Sequence, residues 1–208
     1  MLAFPQSTTV HRKIPKEAFY KHMTLSGALK EKFVAQVDRI FVENSLTQKN
    51  LNLGEVSPIK EILLLVMTLK KQEFDGKIAE AIARQNPHKL VFLLQFEGEG
   101  QLAIYHGRLY CTTWMKEENL KLNLEGSSID SIWEHMIEQI ALKEEKLGKT
   151  KTLTMDERMA RQAELEKLTV LIEKTERAVW KEKQPKKKFA LYQKLQEYKK
   201  RLEETAHG

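Results

Sequence analysis

Two short apolar runs near the middle of the chain predict the centre of a β-sheet. Ile62–Met67 and Leu90–Phe96 are too short to cross a membrane, and each is typical of a strand buried on both faces. Between them, apolar residues recur at helical spacing over Glu73–Arg84, which predicts a helix lying on that sheet. The stretch therefore predicts a strand, helix, strand unit.

After this unit, the pattern predicts that the sheet continues as a meander. Glycine-rich turns at residues 97–100 and 106–107 separate strands predicted at Gln101–Tyr105 and Leu109–Trp114. Leu120–Leu124 alternates strictly between apolar and polar residues, which predicts one more strand with a solvated face.

Two longer helices are predicted, one on each side of this central stretch. Ser26–Asn44 places its apolar side chains on one face, and Ser26 or Thr24 is suited to cap it. Ile129–Ile140 follows a start that resembles a capping box and presents a second apolar face. We expect both helices on the same face of the sheet, closing a two-layer domain near residue 145. Asn50–Gly54 is a further short candidate strand.

The last quarter of the chain has a different period. Apolar residues spaced by three and four positions form two coiled-coil seams of equal length, on either side of Gln184-Pro185. They predict an antiparallel helical hairpin, too short to be stable alone and therefore expected to dock on the body or on a partner. The predicted partner-docking seam consists of Leu165, Leu168, Ile172, Leu191, Leu195, Tyr198 and Leu202.

Together these elements predict an α+β protein. It has a central mixed β-sheet with two or three helices packed on it and a C-terminal antiparallel coiled-coil hairpin. We place the globular domain, with an N-terminal arm, at residues 1–147, a linker at 148–154 and the basic helical hairpin at 155–205.

Charge is distributed unevenly between the two parts. The chain carries 35 Lys and Arg against 29 Asp and Glu. Residues 149–208 hold 16 of the basic and 10 of the acidic residues, which leaves 19 of each for the first 148 residues. A neutral body argues against a broad nucleic-acid-binding face, while a basic tail suits phosphate or an acidic protein. The alternative interpretation of the basic tail is that it is simply a solvated pair of charged helices. The basic residues predicted to bind nucleic acid or a partner are Lys181, Lys183, Lys186, Lys187, Lys188, Lys199, Lys200 and Arg201.

No motif in the sequence specifies a catalytic reaction. The 6 histidines lack metal-ligand spacing, and we expect no catalytic residues, no metal and no cofactor. Glu61, Asp75 and Lys70 flank the first central strand and are the residues that a divergent metal-dependent nuclease would use. Exposed charges at strand and helix ends are the alternative interpretation.

The compartment is predicted from cysteine usage and from the lack of a long apolar segment. Cys111 is the only cysteine, which excludes an internal disulfide and fits a reducing compartment. No run is long enough for a membrane span, and the N-terminus is not typical of a secretion signal. We therefore expect a cytoplasmic protein without a membrane partner.

Six segments of the chain carry a resemblance to a known family, namely Phe4–Thr8, Lys13–Tyr20, Thr68–Lys71, Asn86–Phe92, Thr113–Met115 and Glu182–Phe189. They resemble a bacterial family known as domain of unknown function number four-three-nine-one. Genes of this family commonly lie beside helicase and DNA methyltransferase genes in restriction-like or antiviral defence loci. The resemblance therefore implies an accessory subunit of such a system, with a helicase or a DNA methyltransferase as partner. It supplies no catalytic residues.

The leading hypothesis is a non-catalytic accessory subunit of a multi-protein, DNA-targeting, antiphage defence complex. In this hypothesis the body docks a helicase or methyltransferase, and the basic hairpin reaches DNA phosphate or a second subunit. A divergent metal-dependent nuclease subunit is the second hypothesis. A purely structural module for protein–protein interaction, whose hairpin completes a helical bundle, is the third.

Overall fold

The chain divides into two compact units, residues 1–141 and 142–208. The computed structural model describes residues 2–142 and 154–207. The sheet and its helices belong to the first unit, and the helical hairpin belongs to the second. The predicted linker at 148–154 lies outside the described residues, except for Thr154, which caps the first helix of the hairpin.

The first unit is built on a seven-stranded mixed sheet. Its strands are β1 (Thr9–Ile14), β2 (Val37–Thr47), β3 (Glu61–Leu69), β4 (Lys89–Phe96), β5 (Glu99–His106), β6 (Arg108–Cys111) and β7 (Met115–Lys116). The spatial order follows the chain from β1 to β6, and β7 pairs with β5. β3 and β4 are parallel, while all other pairs are antiparallel. The predicted mixed sheet is confirmed.

The predicted strand, helix, strand unit is also confirmed. Helix α3 (Lys77–Gln85) connects β3 to the parallel neighbour β4, with Leu65 opposite Phe92 in the register. Both strands are buried on both faces over most of their length, which explains their continuous apolar runs. The helix starts later than predicted because Asp75 accepts a hydrogen bond from the backbone N–H of Lys77 at its first turn.

The helix predicted at Ser26–Asn44 is wrong in its second half. Helix α2 covers only Gly27–Gln36 and is capped by Ser26, one of the two predicted cap residues, and the next residues form β2. β2 lies between β1 and β3, so both sides of its backbone are hydrogen-bonded, and Ile40 and Val42 are buried. Pairing on both sides outweighs the helical spacing of the apolar residues in this segment.

Two other predicted strands are wrong. Residues 50–52 lie in a turn after β2 and residues 53–54 have no regular secondary structure. Leu120–Leu124 has no regular secondary structure either. The alternation in the second segment arises because Leu120 and Leu122 are buried. Leu120 lies directly against Gly100 of β5, and a Cβ atom at that position would force the leucine side chain to shift. The segment therefore covers the sheet without joining it.

Helices cover both faces of the sheet. On one face, α1 (Lys16–His22), α2 and α3 pack on the strands, and Phe19 and Phe33 join Met67 in one buried cluster. Helix α4 (Ile129–Ala141) contacts β3, β5 and β6 but contributes no residue to that cluster. The strand residues that alternate with those of the cluster are buried as well, namely Ile62, Leu64, Leu102 and Ile104. Since alternate residues point to opposite faces, α4 lies on the second face, and the two-layer arrangement we expected is wrong.

The second unit is the predicted antiparallel hairpin. Helix α5 (Met155–Lys181) and helix α6 (Pro185–His207) are joined by residues 182–184. Thr154 and Glu157 form a capping box at the start of α5, and Pro185 occupies the first position of α6, where its missing N–H costs nothing. The two helices pack along the seam, with Leu168 and Leu195 buried. The hairpin is therefore confirmed, with its turn at the predicted break.

Candidate nucleic-acid interface

Five of the eight basic residues predicted to bind nucleic acid gather at one end of the hairpin. Lys181 is the last residue of α5, Lys183 lies in the connection, and residues 186–188 belong to the first turn of α6. All five lysines are exposed. We call residues 180–192, which include them, the hairpin tip.

The hairpin tip carries a concentrated positive charge. Between residues 180 and 192 the chain has five lysines and one acidic residue, Glu182, for a net charge of +4. Glu182 accepts a hydrogen bond from the backbone N–H of Gln184 at 2.8 Å. Within the ranges that the structure describes, no ion pair is formed by a tip lysine. Their ammonium groups remain free to bind an anionic ligand.

The other three predicted basic residues have carboxylate partners within the hairpin. Lys199 binds Glu176 at 2.8 Å, and Lys200 lies 3.7 Å from a glutamate one turn further along α6. Arg201 binds Glu164 at 2.9 Å. The first and last of these pairs join α5 to α6, and the structure does not bring the three cations to the tip. The candidate interface therefore consists of the five tip lysines.

The seam residues support the tip from within the hairpin. Leu165, Leu168 and Leu195 are buried, and the remaining predicted seam residues are half-buried. Packing along this seam fixes α5 and α6 side by side, so that both ends of the connection present their lysines in one place. The additional role of the seam in docking a partner stays a prediction.

The residues proposed for a nuclease do not form one site. Glu61 begins β3, whereas Lys70 and Asp75 follow its other end. Nine residues of strand separate the two ends by about 25 to 30 Å. Glu61 instead accepts a hydrogen bond from Ser45 and pairs with His88 at 3.1 Å. Metal-assisted hydrolysis requires its carboxylates to converge on one ion, and these do not.

Asp75 connects the start of α3 to α2. Its carboxylate pairs with Lys32 at 2.7 Å and accepts the backbone N–H of Lys77 at 3.0 Å. Its own backbone N–H donates to Gln36 Oε1 at 2.8 Å. The hydrogen bond from Lys32 holds the pKa of Asp75 below its ordinary value, and the same contact raises the pKa of Lys32. These bonds give Asp75 a structural role.

Replacing Asp75 by alanine is expected to destabilise the first unit in a pH-dependent way. Loss of a helix-start hydrogen bond and an ion pair lowers the free energy of unfolding by about 1 kcal/mol at neutral pH. Because the pKa of Asp75 is lowered by folding, its contribution is complete above its unfolded pKa of about 4 and disappears as the pH falls through the lower folded value. Urea unfolding at neutral and acidic pH measures the difference.

The matched control for this prediction is Asp38→Ala. Asp38 is more exposed and pairs only with the adjacent Arg39 among the described residues. Its replacement should change the free energy of unfolding by less than about 0.5 kcal/mol. An Asp75→Ala loss of equal size at both pH values would contradict the assignment of the lowered pKa to folding.

The body contains a partly enclosed cleft beside the N-terminal residues. In this cleft the His11 ring stacks on the Phe41 ring, with ring centroids 5.5 Å apart. His11 Nδ1 also lies 2.8 Å from Glu43 Oε2. The part of the chain that the structure describes contains no group of three or more His, Cys, Asp or Glu residues that could hold a metal ion. The cleft thus offers a histidine–carboxylate pair whose imidazole is exposed.

Sequence reasoning missed three aromatic residues of the hairpin tip. Trp180, Phe189 and Tyr192 are exposed. Their position outside the three-and-four spacing of the seam and beside the lysine run makes them candidates in the sequence, and the structure adds that they are exposed. None of the described helices is both long and apolar enough to cross a membrane.

The fold and the basic tip define a class of protein: an α+β domain that carries a basic helical hairpin. The chain belongs to the family described as domain of unknown function DUF4391, whose sequence model matches residues 2–202. The match covers both units, so the hairpin is part of the family's own architecture. No curated protein and no solved structure matches the chain.

Proposed function

We propose that the protein is a non-catalytic accessory subunit of a multi-protein, DNA-targeting defence complex. The body docks a helicase or DNA methyltransferase, and the hairpin tip contacts DNA phosphate in a cytoplasmic assembly. The observation that carries this proposal is the group of five exposed tip lysines without ion-pair partners in the described residues, on a chain whose first 148 residues are neutral.

The geometry of the hairpin supports end-on contact with DNA. Helix α5 has 27 residues and is therefore about 40 Å long. Five lysines without ion-pair partners among the described residues gather at one end of this length. The exposed Lys167, Lys174 and Lys194 are spread singly along the hairpin, and the cations at residues 199–201 of α6 pair with glutamates. Such an arrangement delivers charge at the tip and binds phosphate without reading base sequence.

The proposed partners follow from the resemblance to a defence-associated family. An accessory subunit needs no catalytic centre of its own, and in this proposal the helicase or methyltransferase supplies the chemistry. The accessory subunit contributes affinity for DNA, because linking two binding modules raises the effective concentration of the second.

Co-purification tests this proposal. The tagged full-length chain is expressed with its gene neighbours, treated with a nuclease to remove bridging DNA, and compared with a chain ending at Gly148. A helicase or methyltransferase retained by both chains supports the accessory role with docking by the body. Its loss from the shorter chain would contradict docking by the body and place the docking surface on the hairpin. Absence of any neighbour product from the full-length sample contradicts the proposal.

A further inference from the structure

Three aromatic side chains at the hairpin tip face solvent. Trp180 is 85% exposed, Phe189 is 63% exposed and Tyr192 is 51% exposed. Aromatic side chains of this size normally supply large buried areas in cores and interfaces, so their exposure in one short stretch marks a binding surface. All three lie outside the seam and are not used to pair α5 with α6.

The three rings lie on one side of the hairpin. Trp180 follows Glu176 by four residues and therefore shares its side of α5. Tyr192 precedes Lys199 by seven residues, about two helical turns, and therefore shares its side of α6. The ion pair between Glu176 and Lys199, at 2.8 Å, shows that these two sides meet across the hairpin. Phe189, one turn before Tyr192, extends the same surface towards the connection.

The chemistry of this surface favours nucleic-acid bases over lipid. Every large apolar side chain exposed at the tip is an aromatic ring, and the exposed aliphatic Val170 lies elsewhere on α5. Separate flat rings can each stack on a base, whereas a helix that lies in a lipid surface inserts one continuous apolar face, and lysines interrupt the rings of the tip. Five lysines lie between and beside the rings in the sequence, as binding to a chain of alternating phosphates and bases requires.

We infer that the hairpin tip binds single-stranded nucleic acid, with Trp180, Phe189 and Tyr192 stacking on bases while the tip lysines bind phosphates. Unpaired bases are required because a continuous duplex stacks its bases on one another and hides their faces. The binding is independent of sequence, since every base has a face on which a ring can stack. This inference rests on the proposed function, which already places phosphate at the tip, and adds the unpaired base as the second group recognised.

The test compares two fluorescent oligonucleotides that differ only in their bases. One is a short oligothymidine, and the other is an abasic strand of the same length, which keeps the phosphates and lacks every base. The full-length chain is expected to bind the thymidine strand at least about tenfold more tightly. Trp180→Ala is expected to reduce that preference by about tenfold. Trp180→Phe should keep most of the preference, and the exposed aliphatic control Val170→Ala should keep all of it.

Each other outcome overturns the inference in a recognisable way. Equal affinity of the full-length chain for both strands removes base stacking and leaves the phosphate contact of the proposed function intact. No binding to either strand overturns base stacking and the phosphate contact together, because both strands carry phosphates. If Trp180 instead mediates binding to vesicles containing an anionic phospholipid, with no preference for the thymidine strand, the tip is a lipid-binding surface.

Discussion

Changing Lys186, Lys187 and Lys188 together to glutamate is expected to lower the affinity for DNA by about a hundredfold at about 0.1 M salt. The first turn of α6 holds all three side chains exposed, and no described residue forms an ion pair with them. Each lysine that neutralises a phosphate releases a counterion, so the dependence of log K on log salt should become shallower by about 2.7. Fluorescence anisotropy with a labelled duplex at several salt concentrations measures both quantities.

A control with the same change in net charge is available on the same hairpin. Lys167, Lys174 and Lys194 are exposed and lie further from the connection between the helices. Their joint replacement by glutamate should lower the affinity by less than about tenfold and leave the salt slope within about 1 of its original value. Equal losses in the two triple variants would show that the hairpin attracts DNA by its total charge and that the tip is not a defined interface.

Replacing Leu168 by aspartate is expected to separate α5 from α6. Leu168 is only 2% exposed in the seam, so an unpaired carboxylate there costs about 3 to 5 kcal/mol. Two helices of this length have little stability without their shared apolar surface. We expect the backbone amides of α5 and α6 to lose most of their protection in hydrogen-exchange mass spectrometry, while those of β3 and β4 keep theirs.

Val170→Asp is the matched control for the seam variant. Val170 lies on the same helix, two residues away, and is 62% exposed. The same substitution there should change the protection of the hairpin little, because the new carboxylate remains in water. Similar loss of protection in both variants would contradict the assignment of the seam. The seam variant should also lose affinity for DNA, since the tip lysines are then no longer held together.

The parts of the fold that were predicted correctly are those whose signals are local. The runs at residues 62–67 and 90–96 are apolar throughout because both faces of β3 and β4 are covered. Pro185 and the change of period around it mark the hairpin turn without any need for long-range information. The lysine run was likewise visible as a charge pattern, and the structure adds that its members are exposed and unpaired with the described residues.

The wrong predictions concern segments whose conformation or position is determined by long-range contacts. Val37, Ile40 and Phe41 fit a helical face, yet hydrogen bonding to β1 and β3 places them in a strand. The face on which α4 packs depends on which side of the sheet α2 and α3 have already covered. Exposure of Trp180 could not be read from the sequence either, because a ring outside one seam can still be covered by another element.

Site-specific photo-crosslinking shows whether the hairpin tip touches DNA in an assembled complex. Ala190 is exposed and lies within the tip, so Ala190→benzoylphenylalanine introduces the probe without removing a lysine or an aromatic ring. Irradiation of the complex purified with labelled DNA is expected to attach the protein covalently to the DNA. If the complex holds DNA but the probe crosslinks exclusively to a protein subunit, contact between the tip and DNA is contradicted. The hairpin is then a protein-docking element.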